Sequence, residues 1–374
     1  MQIFIKEVEV EVEDNLSVYI HIPFCKAICS YCDFCKVLYN QEWATKYLKR
    51  LKDEIKDRYM GEKIRTIYIG GGTPSCLTLK EIEYLLLLTN LFNKKHLEEF
   101  TFECNIEDIN EDLLVLLKKY GVNRLSVGVE SFNEKKLAFM KRKADYTDVV
   151  EKVKLIRNIG FNNINIDLIY AIPNEKISTL KKDLKLLLSL NPEHISTYSL
   201  MVEDNTFLGY QKVKQIDEEL DYDMYKLICK KLEKNGFIHY EVSNFSKPGF
   251  ESKHNLVYWD NLEYYGFGCG ASGYVAGVRY DNTRNLSKYL NGEYKSDDKL
   301  LSEQSIMEYE MILGLRKLKG VNLQEFYNKY KINMQDVFPI KPLLKSGELI
   351  HKDGFIMINP DKIYVMNEIL LKLV

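Results

Sequence analysis

One stretch decides the fold of this chain: Tyr19-Ile20-His21-Ile22-Pro23-Phe24-Cys25-Lys26-Ala27-Ile28-Cys29-Ser30-Tyr31-Cys32. Its first residues have the composition of a strand, and the cysteines that follow have the spacing C-x3-C-x2-C. Three thiolates in one loop can hold three irons of an iron–sulfur cube. The fourth iron is then open to a small molecule, as the metal is in catalytic sites. We therefore predict a 4Fe–4S cluster on Cys25, Cys29 and Cys32.

Other readings of these cysteines remain open. Zinc sites usually pair two C-x2-C motifs far apart in sequence, and a second such pair is absent here. Chance buried thiols are the second alternative, because free cysteine often behaves as a small core residue. Cys35 is either a fourth ligand or a core residue, and we leave it outside the predicted cluster.

The rest of the chain repeats a strand–helix order. The predicted strands are Val18–Ile22, Thr66–Ile69, Glu99–Glu103, Arg124–Val129, Asn163–Tyr170 and His194–Leu200. Segments with helical spacing lie between them, and Thr78 with Glu81 predicts a capping box. Six such units imply a parallel sheet with right-handed crossovers. The fold class is α/β, with either an open sheet or an incomplete (β/α)6 TIM-like barrel.

A change of rhythm after about residue 210 predicts a second region. We place the core at residues 10–240 and a smaller, mostly helical C-terminal region at residues 241–374. Gly354–Ile358 has the pattern of a short hairpin arm.

Composition limits the classes of function. The formal net charge of −2 gives no general attraction to nucleic acid or anionic lipid. No run of about 18 apolar residues is present in the sequence, so we expect no membrane span. A cytoplasmic location is expected, where the eight cysteines stay thiols or metal ligands.

Several further motifs follow the cysteines in order. They are Gly70-Gly71-Gly72-Thr73-Pro74-Ser75, Glu103, Arg124-x-Ser126-x-Gly128-x-Glu130-Ser131-Phe132, Arg142 and Asn165-x-Asp167-Leu168-Ile169-Tyr170-x-x-Pro173. Together with the cysteine loop, this series resembles the radical S-adenosylmethionine (SAM) superfamily, in its coproporphyrinogen III dehydrogenase-like branch. The resemblance implies an incomplete barrel, a 4Fe–4S cluster, and SAM that is cleaved reductively to methionine and a 5′-deoxyadenosyl radical.

The resemblance also implies which residues contact SAM: Tyr19, Tyr31, Gly71, Gly72, Thr73, Glu103, Glu130, Arg142, Asp167 and Met201. Some positions depart from the family pattern. Glu130 replaces a glutamine and can accept but not donate a hydrogen bond when ionised. Ala144 stands where a histidine is usual. Without the resemblance, the glycine triplet could be a turn and Asp167 an ordinary strand-end residue.

Within this branch the chain is similar to HemW-type heme chaperones. The relevant strings are Cys32-Asp33-Phe34, His194-x-Ser196-x-Tyr198, Tyr240-Glu241-Val242-Ser243-Asn244-Phe245 and His254-Asn255-Leu256-x-Tyr258-Trp259. This resemblance implies that the chain binds heme and delivers it to heme-accepting respiratory proteins, with an electron donor such as a flavodoxin or ferredoxin. The alternative is the oxygen-independent coproporphyrinogen III dehydrogenase of porphyrin biosynthesis.

His254 is the heme-ligand candidate, because histidine is a usual axial group. The alternative is that it holds a loop by hydrogen bonds. Gly268-x-Gly270-x-x-Gly273 matches a dinucleotide fingerprint by letter but opens no βαβ unit, so we interpret it as a glycine turn.

Overall fold

The computed structural model describes residues 15–374. The first five residues of the predicted core, 10–14, lie outside the described residues. Within residues 15–199 the elements are β1 (Asn15–Ile22), β2 (Phe24–Cys25), β3 (Val37–Leu38), α1 (Gln41–Arg58), β4 (Lys63–Gly71), α2 (Leu79–Leu88), β5 (Glu99–Asn105), α3 (Glu111–Lys119), β6 (Arg124–Glu130), α4 (Glu134–Met140), α5 (Tyr146–Asn158), β7 (Ile164–Tyr170), α6 (Ile177–Ser189) and β8 (His194–Ser199).

Six of these strands, β1 and β4 to β8, are the six predicted ones. The predicted capping box is also present: the Thr78 side chain accepts from the Glu81 N–H, and Glu81 caps the Thr78 backbone in return. It starts α2 at Leu79, as the local sequence predicts.

The next segment contains α7 (Phe207–Tyr210), α8 (Glu218–Glu233), β9 (Ile238–Glu241), β10 (Asn244–Ser246), α9 (Lys253–Trp259), β11 (Tyr264–Phe267), β12 (Ser272–Val275), β13 (Val278–Asn282), α10 (Leu286–Leu290) and β14 (Lys295–Leu300). The last segment contains α11 (Glu303–Gly314), β15 (Val321–Asn322), α12 (Leu323–Tyr330), α13 (Met334–Val337), α14 (Ile340–Lys345), β16 (Leu349–Lys352), β17 (Phe355–Ile358) and α15 (Met366–Leu370).

The main sheet has twelve strands in the order β14-β13-β12-β11-β1-β4-β5-β6-β7-β8-β10-β9. The run from β11 through β1 and β4 to β8 is parallel, and the strands outside it at both ends are antiparallel. Because β14 and β9 end the order without pairing to each other, the sheet is not closed. The predicted α/β class with an incomplete barrel is confirmed.

The two faces of the sheet differ in chemistry. Apolar strand residues and apolar faces of α1, α2, α3, α5, α6 and α8 form one continuous hydrophobic cluster. Alternate strand residues on the other face are polar and hydrogen-bond to one another: Thr66 donates to Ser17 at 2.8 Å, and Asn165 donates to Ser126 at 2.8 Å. Strand alternation therefore gives the sheet one apolar face, which packs against the helices, and one polar face.

The C-terminal segment has its own hydrophobic cluster, which begins at Met307. It is mostly helical, and it includes a three-stranded sheet in the order β15-β17-β16. The predicted hairpin arm at Gly354–Ile358 is confirmed, because β16 and β17 pair antiparallel.

The predicted boundary between residues 240 and 241 stays a prediction about domains. In the structure, however, the main sheet extends beyond residue 241, because β10 to β14 belong to it and β14 ends at Leu300. Among residues 15–374, no helix combines the length and the apolar character that a membrane crossing requires.

Candidate functional site

The carboxyl edge of the parallel strands gathers the candidate residues. The cysteine loop (residues 25–35) follows β1, and the glycine loop (residues 70–73) ends β4. Glu103 and Glu130 lie near the ends of β5 and β6, whereas Asp167 lies in the middle of the neighbouring β7. This is the edge at which ligands bind in barrels and open α/β sheets.

The cysteine loop is held at its base and at its middle. At the base, the short strands β2 and β3 pair parallel, joining Phe24 to Val37 and Cys25 to Leu38. In the middle, Ser30 is buried and makes three hydrogen bonds. Its N–H donates to the carbonyl of Met140 at 3.2 Å, its hydroxyl donates to the carbonyl of Phe139 at 2.8 Å, and its carbonyl accepts from the Leu208 N–H at 3.1 Å. α4 and α7 therefore both hold the loop.

The three predicted cluster thiols are partly or fully shielded from water. Burial raises the pKa of Cys25 to about 11, and the neighbouring Cys32 and Cys29 act in the same direction. Burial likewise raises the pKa of Cys29 and of Cys32. Thiolates crowded in a buried loop are unfavourable without a cation to compensate them, and iron supplies that compensation.

The glycine loop lies directly beside these thiols. A Cβ atom on Gly72 would lie 3.0 Å from Cys25 Sγ and 2.8 Å from the Phe24 carbonyl oxygen. Gly71 has φ +117°, which side-chain-bearing residues rarely adopt, and a Cβ there would lie 2.7 Å from the His21 ring. Thr73 donates to Cys25 Sγ at 3.5 Å. Only glycine permits this approach of the loop to the thiols.

Glu103 is hydrogen-bonded to the glycine loop. Its carboxylate accepts from the Tyr68 hydroxyl at 2.7 Å and from the Gly71 N–H at 3.0 Å. Burial raises its pKa to about 7; those two hydrogen bonds oppose the shift, whereas the nearby Asp167 adds to it. Arg124 also faces this carboxyl and lowers its pKa. The group can therefore carry or release a proton near neutral pH.

Glu130 and Arg142 form the next part of the site. The Arg142 guanidinium donates to Asn105 Oδ1 at 2.7 Å and to the Gly128 carbonyl at 2.8 Å, and it lies 3.8 Å from Glu130. Burial raises the pKa of Glu130 to about 7, and Arg142 and a hydrogen bond from Tyr31 oppose that shift. The Nε of Arg142 is buried without a hydrogen-bond partner, so the guanidinium has a donor left for a ligand.

Asp167 is oriented by its strand neighbour. Asn165 donates to Asp167 at 2.8 Å, and burial raises the pKa of the Asp167 carboxyl. Met201 is placed differently from the others. It follows β8 with 63% of its surface exposed. The structure therefore brings the thiols, the glycine loop and three carboxyls to one edge, with Met201 at its rim.

Glu130 has an unusual backbone that a buried ion-pair network supports. Its φ is +68°, in the left-handed region that a residue with a side chain rarely adopts. The next residue, Ser131, donates to Asp183 at 2.7 Å. Lys136 lies 3.0 Å from Asp183 and 2.7 Å from Glu175, and all three side chains are buried. The sequence does not indicate this network, because Lys136 and Asp183 have the pattern of exposed helix residues and Glu175 that of a loop residue.

His21 also belongs to the site, although the sequence did not indicate it. Its ring contacts the Tyr19 hydroxyl at 2.9 Å through Nδ1 and the Cys35 carbonyl at 2.8 Å through Nε2. Burial lowers its pKa to about 4, so it is neutral at physiological pH. The neutral ring joins Tyr19 to the far end of the cysteine loop. The string that decides the fold contains His21, but nothing local in it indicates the partner.

His254 lies away from solvent inside the barrel. Its ring contacts Thr66 Oγ1 at 2.7 Å and the Tyr258 hydroxyl at 2.7 Å, so both ring nitrogens are hydrogen-bonded. The side chain is 1% exposed, and burial lowers its pKa to about 3. This geometry supports the loop-holding alternative, and heme ligation by His254 stays a prediction.

The site fits an iron–sulfur cluster with a bound amino acid derivative. The donors are three thiols in one loop, and the missing side chain of Gly72 leaves space at Cys25. The unpartnered Arg142 Nε suits a carboxylate, and the buried carboxyls of Glu103 and Asp167 suit cationic or hydroxyl groups.

Comparisons with known proteins agree with this geometry. Residues 19–187 match the family model described as the radical SAM superfamily, and residues 301–362 match the HemN C-terminal domain. The solved structure of the coproporphyrinogen III oxidase HemN from Escherichia coli, a radical SAM enzyme, has a TM-score of 0.84 at 23% identity, covering 96% of this chain and 89% of that one. This likeness concerns the fold.

Sequence relatives are more specific. The chain is 44% identical over 330 residues to the heme chaperone HemW of Lactococcus lactis subsp. lactis (strain IL1403), covering 86% of this chain and 87% of that protein. It is 38% identical over 352 residues to the heme chaperone HemW of Bacillus subtilis (strain 168), covering 90% and 92%. The chain therefore belongs to the HemW family, within the radical SAM superfamily.

Proposed function

We propose that this chain is a 4Fe–4S radical SAM protein that binds heme and delivers it to respiratory proteins in the cytoplasm. The observation that carries the proposal is the convergence of the three cluster thiols, the glycine loop and the unpartnered Arg142 donor at one sheet edge. The identity to curated heme chaperones supports this branch over the dehydrogenase.

Three thiolates, those of Cys25, Cys29 and Cys32, hold the cluster in this proposal. Bound together, the cluster and SAM supply one-electron reductive cleavage of the sulfonium, with a flavodoxin or ferredoxin as electron donor. The protein contributes orientation and shielding. Ser30 fixes the loop that carries these thiols to α4 and α7.

The resemblance to the radical SAM superfamily implies the SAM contacts, and the charges at the edge are compatible with them. Gly71, Gly72 and Thr73 would hold the methionyl end, and the Glu103 carboxylate would accept from the amino group after releasing its proton. Arg142 pairs with the SAM carboxylate through its free donor.

The adenosyl end takes the remaining contacts. Glu130 would accept from the ribose hydroxyls, and Asp167 would provide a second acceptor. Met201 would contact the adenine, and Tyr19 and Tyr31 would hold SAM on the side of the cysteine loop.

Exposed apolar side chains beside the cluster support heme binding. Phe34 in the cysteine loop is 67% exposed, and Tyr210 in α7 is 78% exposed. α7 is hydrogen-bonded to the loop through Leu208 and Ser30. These exposed apolar side chains, on two segments that are joined by a hydrogen bond, would be covered by a planar macrocycle.

The experiment is an anaerobic titration of the reconstituted protein with heme, beside a coproporphyrinogen assay with SAM and reductant. We expect heme binding at micromolar concentration and no vinyl product. Phe34→Ala combined with Tyr210→Ala should weaken heme binding. Met60→Ala is the matched control, because Met60 is 80% exposed between α1 and β4 at the opposite edge. Vinyl product, or no heme binding at micromolar concentration, would overturn the proposal.

A further inference from the structure

Two cysteines outside the predicted cluster ligands, Cys35 and Cys269, lie close together. Cys269 is in the Gly268-Cys269-Gly270 turn that follows β11, and this turn is fixed by buried hydrogen bonds. The Gly268 N–H donates to Glu54 at 2.8 Å, and the Cys269 N–H donates to the Tyr47 hydroxyl at 2.9 Å. The glycine-turn interpretation of this motif leaves Cys269 without a role.

Cys35 and Cys269 face each other. Their Sγ atoms are 3.8 Å apart, although the residues are separated by 234 positions in sequence. Gly270 makes the approach possible: a Cβ atom there would lie 2.3 Å from Cys35 Cβ. The shift to a disulfide bond of about 2.05 Å requires the sulfurs to close by roughly 1.8 Å, within the range of small side-chain rotations.

The two thiols differ in access and in charge environment. Cys269 is fully buried, whereas Cys35 is partly exposed. The Cys269 thiol donates to the Thr283 carbonyl at 3.1 Å. Its contact with Cys35 lowers the pKa of Cys35, and the positive charges of Arg284 and Lys36 act in the same direction. The same contact raises the pKa of Cys269. A reachable thiolate beside a buried thiol is the arrangement of redox-sensitive cysteine pairs.

From this geometry we infer that Cys35 and Cys269 form a reversible disulfide with a low-molecular-mass disulfide such as oxidised glutathione as oxidant. The Cys35 thiolate attacks one sulfur of the oxidant, forming a mixed disulfide and releasing one glutathione thiolate. The Cys269 thiol then loses its proton and attacks Cys35 Sγ, releasing the second glutathione. Two protein thiols are oxidised, and one glutathione disulfide is reduced to two thiols.

The bond would tether the end of the cysteine loop to the turn after β11. Cys35 is three residues beyond Cys32, and its carbonyl is the one that His21 contacts. Oxidation would therefore restrain the loop that carries the cluster from a point outside the cluster ligands.

The test treats anaerobic, cluster-loaded full-length protein with glutathione buffers of stepped oxidised-to-reduced ratio. Free thiols are then alkylated, and the chain is analysed by intact mass and peptide mapping. We expect the loss of two thiols per chain, a cross-link between the peptides holding Cys35 and Cys269, and full recovery with dithiothreitol. Cys35→Ser and Cys269→Ser should each abolish the cross-link. Cys229→Ser, at a partly exposed cysteine elsewhere, should leave it unchanged.

Iron and sulfide are measured on every sample, which separates this pair from the cluster. Iron content equal to wild type in Cys35→Ser supports the inference. A Cys35→Ser protein that loses iron would make Cys35 a cluster ligand and overturn it. So would cross-links confined to Cys25, Cys29 and Cys32, or alkylation of both Cys35 and Cys269 at every ratio in the wild type.

Discussion

Replacing Glu103 with glutamine removes one charge below the glycine loop while keeping the shape of the side chain. In the proposed site the Glu103 carboxylate accepts from the SAM amino group in addition to the Tyr68 hydroxyl and the Gly71 N–H. A hydrogen bond to a charged group contributes about 1.5–3 kcal/mol. Its loss should weaken SAM binding roughly 10- to 150-fold.

The assay is anaerobic calorimetric titration of SAM into the reconstituted protein at pH 8, where Glu103 is ionised because its pKa is about 7. Glu99→Gln is the matched control. Glu99 is also buried, but it begins β5 instead of ending near the site, and it accepts from the N–H groups of Lys253 and His254. Glu99→Gln should lower stability and leave SAM affinity within about twofold of wild type, because such distant sites act independently.

The affinity for SAM should also depend on pH through the ionisation of Glu103. Because the Glu103 pKa is near 7, the fraction ionised rises about tenfold between pH 6 and pH 8, and SAM affinity should rise with it. The stability of the SAM-free protein should instead fall as the pH rises. A raised pKa in the folded protein stabilises it fully below the unfolded value of 4.5, and this contribution is lost as the pH rises through 7. Equal SAM affinity in wild type and Glu103→Gln at pH 8, or a wild-type affinity independent of pH, would show that the Glu103 carboxylate does not bind SAM.

Three further substitutions test the frame of the site. Gly71→Ala should lower the free energy of unfolding by about 1–3 kcal/mol in urea and abolish SAM binding. Gly61→Ala is the control, because Gly61 also has a positive φ but no atom lies near its Cβ position. It should show only the loss of stability that the strained backbone causes. Lys136→Met should cost about 3–5 kcal/mol, because it leaves two buried carboxylates unpaired; a loss below 1 kcal/mol would contradict the network. His254→Ala should cost about 2–5 kcal/mol in urea denaturation, because it empties a buried site and removes one hydrogen-bond partner each from Tyr258 and from Thr66, which keeps its bond to Ser17; unchanged stability would argue against a structural role.

The core of the fold could be predicted because its signals are local. Each of the six predicted strands carries its own apolar pattern, and Thr78 with Glu81 marks a helix start without outside information. The convergence of Glu103, Glu130 and Asp167 followed from one geometric rule, since parallel strands meet at a common carboxyl edge.

Long-range pairings could not be predicted. β11 joins the sheet parallel to β1 from more than 240 residues away, and a Tyr- and Gly-rich stretch gives no signal for that partner. The same reason hid the approach of Cys35 to Cys269 and the burial of Lys136 between two carboxylates. Only the folded chain brings these groups together.

Electron paramagnetic resonance of the reduced, anaerobically reconstituted protein, with and without SAM, shows whether the three cysteines hold a cluster that binds SAM. We predict a 4Fe–4S signal that shifts when SAM is added and that disappears in Cys25→Ala. A protein that takes up zinc instead of iron, or a cluster whose signal ignores SAM, would contradict it.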